Sequence, residues 1–158
     1  MGQFCDYFRA ADAEIASLAI AFGPRDCGFD TVEAKSIPPD LVLSQLVAFI
    51  RSTAWRPDTA PTRLLWPPEK TSKVYEKLPG NSPLRDGPFL QELSLDSRDS
   101  LALVANARLP ELAAQWARIE EMSSFWDESS LLELLEELVD LARNAQKAGD
   151  KLYCWSTL

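Results

Sequence analysis

Asp6 and Tyr7 stand side by side in the opening stretch Gln3–Arg9, "QFCDYFR", a short, roughly alternating run that reads as a strand. Neighbours on a strand point to opposite faces, so only one of the two can face a core. Were the Asp6 face buried, its carboxyl would be desolvated and would hold its proton to higher pH, a known route to a general acid or base. Otherwise Asp6 is a solvated or hydrogen-bonded structural carboxylate. Glu92, in the strand-like "PFLQEL", carries the same two readings. If the chain is an enzyme, Asp6, Tyr7 and Glu92 are the residues to carry the chemistry. Four of the five tryptophans, Trp55, Trp66, Trp116 and Trp155, are candidates to line an apolar ligand pocket, with core filling as the alternative.

The absence of histidine narrows the chemistry further. It removes Ser-His-Asp and Cys-His activation, imidazole metal ligation and the commonest general base near neutral pH. No Gly-x-Gly-x-x-Gly fingerprint occurs, and "GNSPLRDG" lacks the Gly-Lys-Ser/Thr of a phosphate loop. The cysteines, Cys5, Cys27 and Cys154, are odd in number and widely spaced. They read as buried small hydrophobes of a reducing compartment, with no disulfide framework and no metal site. No calcium loop of the Asp-x-Asp-x-Asp-Gly kind is present. No catalytic residue, cofactor or metal is therefore assigned.

The 158 residues suffice for one domain with its own core. The net charge is −8, spread unevenly: residues 1–50 hold 3 basic and 7 acidic side chains, 51–100 hold 8 and 7, and 101–158 hold 5 and 10. Such a field repels phosphate backbones, so nucleic acid is not an expected partner, whereas a basic protein is. No apolar run approaches the roughly 20 residues of a membrane helix. The N-terminus lacks the basic and apolar regions of a secretory signal, and Asp6 stands where a myristoylation motif needs Ser or Thr. These features predict a cytoplasmic protein, monomer or homodimer, that engages a protein partner and has no membrane attachment.

Further elements follow from periodicity. Strands are expected near 3–9, 62–66, 88–93 and 151–156, and helices near 12–22, 39–52, 96–107, 110–122 and 128–148. In the first helix Asp12 is the cap and Ile15, Leu18, Ala19 and Phe22 share a face; Asp96 is read as the cap of the third. From Arg56 to Pro88 lie 7 of the 11 prolines, and the segment near 67–87 reads as a Pro-rich basic loop, either plainly solvated or a lid or partner contact. The last helix starts at Asp127, with Trp126 before it as a hydrophobic staple, and ends at Gly149. Its apolar stripe runs through Leu131, Leu134, Leu135, Leu138, Leu141, Ala142 and Ala145. The opposite side offers Glu133, Glu136, Glu137 and Asp140 as an acidic partner surface, or simply as a solvated face. The first and last strands, both aromatic and terminal, are expected to be neighbours. The fold class is α+β: a small, mostly antiparallel sheet of about four strands flanked by about five helices.

"MGQFCDYFR", "IPPDLVLSQLVAFI", the middle helices and the closing "AGDKLYCW" together resemble the YfbM-like family of bacterial domains of unknown function, over most of the chain. The "RLLWPP" insertion is longer and richer in proline than that family leads one to expect. The resemblance implies an α+β fold with helices around a small sheet, and it brings no activity. Two functions are left: a non-catalytic, inhibitor- or immunity-like binder of a basic protein, or a small-molecule-binding protein or histidine-free enzyme. The second would place a carboxylate in a Trp-lined pocket under the 67–87 loop.

Overall fold

The computed structural model describes residues 2–67 and 87–158. The alternating runs at the two ends of the chain do become adjacent strands. β1 (Phe4–Ala10) pairs antiparallel with β5 (Lys151–Thr157) along its whole length, from Phe4 opposite Thr157 to Ala10 opposite Lys151. β2 (Thr31–Glu33) lies on the outer side of β1, and β4 (Phe89–Leu93) and β3 (Thr62–Trp66) extend the sheet beyond β5. The order is β2-β1-β5-β4-β3, and every pairing is antiparallel. The fold is thus α+β, with five strands where about four were expected. β2 was missed because its three residues are too short to display an alternating pattern.

One face of this sheet carries the main helix layer. α2 (Ser44–Arg51), α3 (Leu95–Leu103), α4 (Leu109–Ala117) and α5 (Glu128–Ala148) pack there, over Cys5, Tyr7, Val32, Leu93, Leu152 and Cys154. α5 buries Leu131, Leu134, Leu135, Leu138, Leu141, Ala142 and Ala145, the stripe its spacing predicts, and Val139 with them. Each fully buried leucine contributes roughly 1.5–3 kcal/mol. The ends of α5 also match the sequence. Asp127 accepts from Ser130 N at 2.7 Å while Ser130 Oγ accepts from Asp127 N at 3.0 Å, and Gly149 closes the helix at φ 73°.

Other ends differ. α3 is capped by Ser94, whose extended backbone lets Oγ accept from Ser97 N, so Asp96 falls inside the first turn and is not the cap. Both α3 and α4 stop short of the expected limits at 107 and 122. α2 is entered through a wide turn, Pro39–Leu43, in which Val42 N and Leu43 N both reach Pro38 O at 3.1 Å. Apart from Pro67 and Gly87, the expected 67–87 loop lies outside the described residues.

Among the described residues the second sheet face carries only a short layer. α1 is a single turn, Ala13–Ala16, followed by a 3-10 turn, Ser17–Ala19, in place of a helix over 12–22. It seats Ala16 and Ala19 against Phe8, Ala10, Leu90 and Tyr153. Ile15, Leu18 and Phe22, expected on a shared buried face, are instead exposed. The small alanines let the turn approach the aromatic sheet surface closely, and the bulky side chains are left outside. Beyond this turn the strand residues Phe4, Asp6, Trp155 and Thr157 have no helix over them among the described residues.

Candidate functional site

The β2 end of this second face forms the floor of a pocket. Register places Glu33 opposite Asp6 on one side and Trp155 opposite it on the other, with Thr157 opposite Phe4. After β2 the chain stays beside β1, with Ala34 N bonded to Cys5 O at 2.8 Å and Ser36 N to Gln3 O at 2.7 Å. Lys35 therefore comes level with Phe4, on the face that carries Glu33 and Asp6. The wall is the segment that leads into α5. Trp126 Nε1 donates to Lys35 O at 2.6 Å, and Phe125 stands edge-on to Trp126 with ring centres 5.1 Å apart. Phe4, Asp6, Glu33, Lys35, Phe125 and Trp155 are the principal lining of a cavity of about 480 Å³, within the range of small-molecule sites.

Asp6 is half-buried, and its carboxyl is held above its ordinary range. Burial is the main cause; the facing Glu33 carboxylate pushes further in the same direction, and Arg25 pulls back. Among the described residues Asp6 accepts no side-chain hydrogen bond and joins no ion pair. Glu33 is bound by Arg25 at 2.8 Å, an exposed bridge worth little. The Lys35 ammonium also lacks an ion pair among the described residues, and lies 4.8 Å from the Phe125 ring centre and 5.9 Å from that of Phe4. Trp155 is fixed from below. Its Nε1 donates to Ile20 O at 3.1 Å, and Gly23, at φ 85°, lies where a Cβ would come 3.5 Å from the indole.

Of the residues singled out in the sequence, the structure brings Asp6 and Trp155 together. Tyr7, on the other face, is in the core: its hydroxyl donates to Ile37 O, and burial pushes the phenol well up. Glu92 shares the sheet face of Asp6 but lies two strands away, engaged by Arg63 at 3.3 Å and Lys151 at 3.6 Å. Trp116 is wholly buried, its Nε1 donating to Val42 O at 2.9 Å, and fills the core. Trp55 is exposed and bonds Ser44 Oγ, and Trp66 is exposed at the end of β3; neither lines this pocket. The pocket lies at the β2 end of the sheet; the 67–87 segment, under which it was expected, lies outside the described residues apart from Pro67 and Gly87.

Glu133, Glu136, Glu137 and Asp140 are all exposed on the outer side of α5. Glu137 and Asp140 also border a shallower depression of about 400 Å³ beside β2, with Arg25, Asp30 and Glu33 on its other side.

Sequence reasoning missed Phe4, Glu33, Lys35, Phe125 and Trp126 as pocket residues. The adjacent aromatics of "SFWD", in a turn between helices, were the one visible signal; Trp126 was read only as a staple. Among the described residues no three carboxylate or thiol groups converge to hold a metal ion, and no helix is long and apolar enough to cross a membrane. No family model, curated protein or solved structure matches the chain.

Proposed function

We propose that the chain is a non-catalytic binding protein whose ligand is a small organic molecule held in the pocket at the β2 end of the sheet. The carrying observation is Asp6: a half-buried carboxylate without a hydrogen-bond or ion-pair partner among the described residues, set between Trp155 and Glu33 on the floor of a cavity of about 480 Å³. A group kept partly dry and unpaired is costly to the fold, and a ligand's hydrogen-bond donor would offset that cost. Binding is favoured over turnover because no thiol joins Asp6 at the pocket floor among the described residues: the Cys5 side chain is fully buried in the core on the other side of β1.

The test is a ligand screen of the intact chain with aromatic fragments of differing charge, observed through the Trp155 indole N–H signal in NMR. Hits that shift this signal while the Trp116 indole signal, from the core, stays unmoved are the expected result. A screen that leaves Trp155 unmoved refutes the reading.

A second reading is favoured by the outer face of α5. The exposed Glu133, Glu136, Glu137 and Asp140 would steer a basic protein onto the molecule, in the manner of an inhibitor or immunity factor. Association that weakens with salt and is abolished by reversing those charges to lysine would support it; association indifferent to both would remove it. On residue patterns alone we also propose kinship with the YfbM-like family, which adds no activity to either reading.

A further inference from the structure

Resting on the small-molecule reading above, we infer that the pocket takes an amphoteric aromatic compound of the α-amino-acid type, with an ammonium and a carboxylate close together at one end and an apolar ring at the other. The two charges of the site that have no ion pair among the described residues, those of Asp6 and Lys35, point to it. Asp6 faces Glu33 across the β1–β2 pair, and Lys35 follows two residues after Glu33 on the same face. Asp6 and Lys35 are therefore diagonal neighbours, about 7–8 Å apart along the backbone. The ammonium end belongs at Asp6, whose charge Glu33 reinforces. The carboxylate end belongs at Lys35, at the rim, where the ammonium lies over Phe125 and Phe4.

The remaining lining fits a ring. Phe4, Phe125 and Trp155 offer apolar faces, and Trp155 is held in place by its bond to Ile20 O. Other classes leave some part of the site unsatisfied. A phosphate would meet two carboxylates. A polyamine would be repelled by Lys35 and would leave the rings unused. A hydrocarbon would cover Asp6 and leave it without a donor.

The test titrates the full chain with three probes, following the Trp155 indole N–H signal: L-phenylalanine, 2-phenylethylamine, which lacks the carboxylate, and 3-phenylpropionate, which lacks the ammonium. L-Phenylalanine is expected to bind about tenfold or more tightly than either, the effect of one charge-assisted contact. Asp6→Asn should abolish its advantage over 3-phenylpropionate and keep its advantage over 2-phenylethylamine; Lys35→Met should do the reverse. A probe with one charge binding as tightly as L-phenylalanine, or a ranking unmoved by both substitutions, overturns the ligand class. So does failure of all three probes while other fragments still shift Trp155, a result that keeps the pocket as a binding site. If no fragment of any charge shifts Trp155, the binding reading itself falls, and this inference with it.

Discussion

Replacing Asp6 by Asn should make the free protein more stable at neutral pH, the reverse of what removing a charged side chain from a structural network does. The folded state holds the Asp6 proton more firmly than the unfolded chain, because of burial and of Glu33. Ionising Asp6 therefore costs the folded state. That cost is fully present above the folded-state value, fades as pH falls through it, and is gone below the ordinary value of 3.8. Like charges directly opposite on paired strands cost about 0.2–1 kcal/mol. Solvent over the open half of the site screens the burial cost, so the whole comes to about 1 kcal/mol. For a chain of this size that is a rise in Tm of about 2–4 °C at pH 7. Calorimetric melts of both proteins without ligand, at pH steps from 7 down to 4, provide the assay, and the advantage of Asn should hold at first and then shrink as pH falls through the folded-state value. A variant that melts at or below the parent at pH 7, or a difference independent of pH, would mean that Asp6 has a stabilising partner. It would then not be the uncommitted ligand group of the pocket.

Trp116→Phe should lower stability by about 2–3 kcal/mol in urea denaturation, since it opens a void in the core and strands the Val42 carbonyl that the indole satisfies. A cost well under 1 kcal/mol would contradict that placement. Gly149→Ala should cost about 1 kcal/mol, because φ 73° strains any side chain although nothing crowds the position; an unchanged melting temperature would count against this cap. Under native conditions a maleimide should modify Cys27 alone, with Cys5 and Cys154 reacting only after denaturation. Mass spectrometry of the labelled peptides decides, and native labelling of Cys154 would contradict the sheet packing.

What the amino-acid sequence determined by itself is local. The long stripe and both caps of α5 were legible because helix periodicity and capping act within a few residues. The terminal strands were legible because alternation does too, and their aromatic character pointed to a shared place in the sheet. The tertiary structure decided everything that depends on distant residues meeting. β2 exists as a strand only because β1 offers it an edge, and α1 turns its alanines inward only because Phe8 and Tyr153 await them there. Asp6 was visible as a carboxylate with a possible burial. Whether it was a core orphan, a solvated acid or a pocket floor hinged on how far the short α1 turn reaches across the second face. Glu33, Lys35 and Phe125 acquire their meaning from sheet register and from the Trp126 bond to Lys35 O, contacts between positions up to 91 residues apart, which no spacing rule along the chain can encode.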